Sequence, residues 1–90
     1  MTAPESIPHQ FVSKTEAFPP DPSSGFPGKQ EITISATCVP ADGEEEVTKE
    51  FTNYTATVDG ATDAEYATAL YNALKGTIYI SFGYPDPDQL

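Results

Sequence analysis

The side chains that chemistry needs are few in this chain, and they stand far apart. His9 is the only histidine and Cys38 the only cysteine. A thiol–imidazole pair would supply a nucleophile and its base, but thiol activation needs an electropositive setting. This chain offers the reverse, with 14 Asp and Glu against 4 Lys, no Arg, and a net charge of -10. His9 lies in a proline-rich stretch. Cys38 falls on the inward face of an expected strand, where a thiol acts as a small apolar filler.

The carboxylates are the other candidates. Asp42, Glu44, Glu45 and Glu46 crowd one turn, and Asp86 and Asp88 lie near the C-terminus. General acid catalysis needs a carboxyl whose pKa is raised in an apolar pocket. Acids clustered in a surface loop lack that pocket. Their spacing does not follow the EF-hand loop, and one Cys with one His cannot build a structural zinc site. No glycine-rich phosphate loop or dinucleotide fingerprint is present. The sequence therefore predicts a protein that is not an enzyme, with no catalytic, cofactor-binding or metal-ligating set.

Charge narrows the partners. A strongly acidic chain is repelled by phosphate backbones and by anionic membrane surfaces, so neither nucleic acid nor membrane is expected as a direct partner. Without Arg, the bidentate grip on phosphate or carboxylate is also missing. No apolar run is long enough to span a bilayer. The start Met-Thr-Ala-Pro-Glu has neither a basic nor an apolar signal region. The expected location is the cytoplasm, or a virion assembled there, without classical secretion. Asn53-Tyr54-Thr55 fits the glycosylation acceptor pattern, which in that setting is an accident of a Thr-rich strand.

Aromatic residues are the remaining resource. Tyr54, Tyr66, Tyr71, Tyr79 and Tyr84 are joined by phenylalanines at 11, 18 and 26, spaced seven and eight apart. Tyr is favoured at protein interfaces because it joins a large apolar body to a polar tip. It equally covers sheet faces and flanks helix stripes. Phe11, Phe18, Phe26, Tyr79 and Tyr84 are the expected partner-binding residues.

Proline placement sets the layout that must position these groups. Six of the nine prolines fall in residues 1–29. Pro19-Pro20-Asp21-Pro22 favours polyproline II, and Ser23-Ser24-Gly25 and Pro27-Gly28 are turn chemistry. Residues 1–29 therefore read as an extended arm, with at most a short edge strand over 10–14. The arm's phenylalanines return less on burial than the backbone entropy of fixing it. It must lie along a long surface that also supplies hydrogen bonds, or stay loose.

Residues 30–84 read as a ββαβ domain. Ile32, Ile34, Ala36 and Cys38 alternate with polar residues, which predicts a strand over 30–39. A second strand over 46–58 changes apolar phase near Asn53, which suggests a bulge there. Thr62-Asp63-Ala64-Glu65 fits a capping box. The stripe Ala67, Leu70, Tyr71, Leu74 predicts a helix to about Lys75, stopped by Gly76, with Lys75 at the negative end of its dipole. Ile78, Ile80 and Phe82 then predict a third strand over 77–82. Residues 85–90 form an irregular tail. The expected α+β fold is a three-stranded antiparallel sheet in order 2-1-3, with one helix on one face. The other face, polar but uncharged, would carry Thr33, Ser35, Thr37 and Tyr79, open to the arm or to a partner.

A domain this small has a marginal core. A long arm on a tiny domain suits a non-catalytic structural subunit that docks on a larger homo- or hetero-oligomeric assembly. Accessory proteins of virus particles, such as capsid decoration or tail components, often share this layout; that likeness is one of architecture alone. The alternative is an acidic inhibitor that mimics nucleic acid and blocks a nucleic-acid-handling or host-defence enzyme. Acids gathered in one stripe would favour mimicry, and scattered acids would favour plain solubility.

Overall fold

The alternation over residues 30–38 builds the centre of the molecule. In the computed structural model, which describes residues 3–41, 43 and 45–89, three strands form one antiparallel sheet in the order β1-β2-β3. They are β1 (His9–Phe18), β2 (Lys29–Cys38) and β3 (Val47–Ala56), followed by helix α1 (Asp63–Ser81) and a short 3-10 turn at Pro87–Gln89. The prediction of a small α+β fold with a three-stranded antiparallel sheet and one helix holds. So does the central place of the 30–39 segment.

Two predicted elements differ. The third strand is β1, not residues 77–82, so the 2-1-3 order gives way to a plain meander. Residues 77–81 continue the helix instead. The stripe Tyr66, Ala67, Leu70, Tyr71, Ile78, Tyr79 is buried along α1 at helical spacing, and it outweighs the two-residue alternation of Ile78 and Ile80. Gly76 lies in mid-helix because the tail crosses there: a Cβ on it would meet the Asp86 carboxylate, with Cγ at 2.6 Å.

The helix stop is a few residues further on. Gly83, at φ +87°, follows the C-cap Phe82. Its N–H donates to Ile80 O at 3.0 Å, and Tyr84 N–H donates to Tyr79 O at 3.0 Å. This is a Schellman motif, closed by the edge contact of the Tyr79 and Tyr84 rings, 6.4 Å apart. No basic residue lies in the last turn of α1; Lys75 sits too early. Lys49 of β3 takes that role, donating from Nζ to Ser81 O. The N-terminus forms as predicted: Thr62 Oγ1 accepts from Glu65 N–H and Glu65 Oε1 accepts from Thr62 N–H, both at 3.2 Å.

Residues 3–29 are not a free arm. Pro8 and Pro19 bracket β1 rather than interrupt it, as an edge strand allows. Register shifts between Phe11 and Ser13 and between Glu16 and Phe18 break its phase twice. Ahead of it, Ile7 is fully buried and its N–H donates to the Tyr71 hydroxyl at 3.1 Å. The bulge expected near Asn53 is absent, since β2 and β3 pair residue for residue from Lys29–Ala56 to Cys38–Val47. The phase change arises because Val47 and Phe51 face the helix while Tyr54 stands on the other side.

The helix covers one face of the sheet. Ile32, Ile34 and Ala36 are fully buried there, against Leu70, Ile78 and Phe82. Gln30 shares this face and donates from Nε2 to Thr57 Oγ1 at 2.9 Å, so burial leaves its amide paired. The other face is open. Thr33 and Thr52 hydroxyls meet across it at 2.7 Å, and those of Thr37 and Thr48 at 2.8 Å. β1 lies at the sheet edge and does not cover this face, and Tyr79 lies in the core instead. Among the described residues no helix is long and apolar enough to cross a membrane.

Candidate interaction site

The candidate chemical groups are not brought together. His9, opposite Ala36 in register, stacks on the Tyr71 ring at 4.1 Å, and its Nδ1 lies 3.0 Å from Ile7 O. Cys38 is half-buried and its thiol donates to Val39 O at 3.4 Å. Each therefore has a partner other than the other. Asp42 and Glu44 lie outside the described residues; Gly43 N–H donates to Pro40 O at 3.0 Å. Asp86 is a local brace, with Oδ1 accepting Asp88 N–H at 2.8 Å. No cluster of three or more His, Cys, Asp or Glu among the described residues is arranged to hold a metal ion.

An open groove of about 740 Å³ lies beside the helix C-terminus, between Pro40, Val47, Ile80 and Phe82. Among the described residues of its lining, Lys49 is the one titratable side chain. Its ammonium is engaged by Ser81 O and lies 5.0 Å from the Phe82 ring centroid.

Four tyrosines are spent inside the domain. The Tyr79 hydroxyl donates to Pro4 O at 2.8 Å and that of Tyr84 to Val39 O at 2.8 Å. Tyr66 OH donates to Val58 O at 3.3 Å and accepts from Val58 N–H at 3.2 Å. Tyr71 takes the Ile7 N–H, as above. Each fastens a stretch of backbone that has no ladder of its own, as buried phenols are used. Tyr79 and Tyr84, 1% and 6% exposed, thus leave the list of partner-binding residues. Burial first, and then the neighbouring Tyr71 hydroxyl, pushes the Tyr79 pKa up to about 12. Tyr71 moves the other way: burial raises it, but the Ile7 N–H and the Tyr79 hydroxyl hold it below the usual phenol value.

Phe11 is half-buried against the core. Phe18 and Phe26 stand free, at the end of the β1–β2 hairpin where every residue from Pro19 to Pro27 is exposed. Tyr54 joins them. Tyr54 and Phe18 are each 51% exposed, with rings 6.0 Å apart and inclined at 52°, and Phe26 is 39% exposed. The signal that finds Tyr54 is its register: it lies opposite Glu31 on the open face, and it meets Phe18, opposite Lys29, across the central strand.

The tip that carries these rings is pre-shaped. Asp21 and Phe26 exchange backbone hydrogen bonds of 2.8 and 3.1 Å. The Asp21 carboxylate accepts from Ser23 Oγ at 2.7 Å and from Ser23 N–H at 3.0 Å. These bonds hold its pKa below the usual carboxylate value, the Ser23 hydroxyl foremost. Gly28, at φ +90°, lets the chain pass where a Cβ would lie 2.9 Å from Phe18 O. Four prolines in this stretch restrict the unfolded chain and so lower the cost of holding the shape.

The acids scatter. Glu31 and Glu50 stand on the open face, Asp63 and Glu65 in the first turn of α1, Asp86 and Asp88 past its end, and Asp21 at the tip. No match is found for this chain among protein-family models, among curated proteins or among solved structures.

Proposed function

We propose that this chain is a non-catalytic interaction subunit that docks on a larger protein assembly through its hairpin end. The observation that carries the reading is the group of exposed rings, Phe18, Tyr54 and Phe26, set on a hairpin tip braced by its own hydrogen bonds. A rigid aromatic surface loses little entropy on binding, and aromatic side chains dominate the centres of protein interfaces. The docking part is thus the tip of the predicted arm, residues 18–29, with Tyr54 beside it. A capsid decoration or tail component of a virus particle is one setting that suits a small adaptor of this layout. The spread of acids over both faces supports a solubilising role for the charge rather than a phosphate-like stripe.

The test uses point variants, because removing residues 1–28 would also remove a sheet strand. Tagged chain is produced in its native source and its size and co-eluting proteins are compared with those of Phe18→Ser/Phe26→Ser. The variant is expected to keep its circular dichroism and melting temperature but to leave the assembly. Unchanged incorporation of a folded double variant would overturn the reading.

A further inference from the structure

The open face beside the tip holds a carboxylate that forms no ion pair with a described residue. Glu31 lies on the central strand, half-buried, between Thr15 of β1 and Tyr54 of β3. Its side chain has no hydrogen bond or ion pair with any described residue. Two of the chain's four lysines are engaged away from it. Lys14 lies 5.0 Å from the Tyr66 ring centroid and Lys49 binds the helix end, both on the covered face. Lys29 stands on the same face, two residues along β2 and opposite Phe18, but makes no ion pair with Glu31.

The register brings the aromatic rings to this carboxylate. Thr57 N–H donates to Gly28 O at 3.1 Å, which fixes the phase of the β2–β3 ladder. Glu31 and Tyr54 are then a non-hydrogen-bonded pair, the kind whose side chains stand closest. The Thr33–Thr52 hydroxyl contact at 2.7 Å is the neighbouring pair of the same kind. Phe18, opposite Lys29 on the same face, lies with its ring 6.0 Å from the Tyr54 ring. Two half-exposed ring faces and one unpaired carboxylate form a surface for a cation: the rings attract it through their quadrupoles and the carboxylate pairs with it.

We infer that Glu31, Tyr54 and Phe18 receive a cationic side chain, a guanidinium for preference, presented by a protein partner. This rests on the docking role proposed above and adds the chemistry of its contact. Guanidinium is favoured because a flat, weakly hydrated ion can lie on a ring while its edge pairs with a carboxylate. The partner then presents a basic side chain at this contact.

The probe is N-acetyl-arginine methylamide, titrated into the full chain while the Phe18, Tyr54 and Glu31 resonances are followed by NMR. The neutral citrulline counterpart is the control. Saturable shifts at these three residues, absent with citrulline, are expected. Glu31→Gln and Tyr54→Ala should each weaken binding about two- to fivefold, and Tyr54→Phe should retain it. Equal shifts with citrulline, equal shifts at Asp63 and Glu65, or no effect of Glu31→Gln would overturn the inference. Unchanged Ile32 and Ile34 resonances report that each variant is folded. Loss of the Phe18/Phe26 variant from the native assembly, together with a failed titration, leaves the docking role standing and removes the cation contact alone.

Discussion

Aromatic residues do opposite work at the two ends of the sheet. At the end where the N-terminus and the helix C-terminus meet, Tyr71, Tyr79 and Tyr84 are buried, and their hydroxyls fasten Ile7, Pro4 and Val39. At the hairpin end Phe18, Phe26 and Tyr54 keep much of their surface in water. Residue type does not separate the groups, since tyrosine is in both. What separates them is whether the chain's own backbone supplies a partner. The first group holds a small core together, and the second is free to hold something else.

The largest effect that would break this comparison is on stability. Tyr79→Ala removes a buried ring and frees the N-terminal segment, so unfolding free energy should fall by about 3–5 kcal/mol. Phe18→Ser should change it by no more than about 0.5 kcal/mol. Urea melts of the two variants check both figures. Comparable losses would mean that the hairpin rings are structural too.

A second variant pair sharpens the closed end. Gly76→Ala should cost about 1–3 kcal/mol, because the new methyl meets the braced Asp86 carboxylate. In an Asp86→Ala background the same change should stabilise by about 1 kcal/mol, the helix preference of Ala over Gly. The sign reversal, read from thermal melts, is the result to look for.

The smallest effect is on alkaline stability. In the unfolded chain the Tyr79 phenol ionises near 10, and in the folded chain at about 12. Between these values the unfolded state holds fewer protons, so stability falls as pH rises from 10 to 12 and is untouched by this group below 10. Tyr71 contributes with the opposite sign, so the wild-type curve mixes the two. Tyr79→Phe should remove the Tyr79 part, giving a shallower loss across that window in urea melts at stepped pH.

Much of the fold was legible wherever periodicity ran unbroken. β2, the capping box at Thr62 and the first part of α1 follow from alternation, a four-residue signature and an apolar stripe. The errors share one cause, which is that a local signal answered to a distant contact. Gly76 reads as a stop but makes room for Asp86, ten residues further along the chain. β1 is masked by two register shifts and by flanking prolines that read as irregular chain. Of the expected interaction residues, Phe18 and Phe26 were visible as aromatics amid prolines. Tyr54 needed the strand register, and Tyr79 and Tyr84 needed their hydroxyl partners, which lie at Pro4 and Val39 and leave no mark nearby in sequence.

The central claim is that the hairpin rings are a partner's surface while the tyrosines of the closed end are not. Oxidative footprinting of aromatic side chains tests it, on the isolated chain and on the chain within its native assembly. The account predicts that labelling of Phe18, Phe26 and Tyr54 is high in isolation and falls about tenfold in the assembly, as for side chains at the desolvated centre of an interface. Tyr79 and Tyr84 should stay weakly labelled in both. Equal labelling of the three hairpin residues in the two states would contradict it.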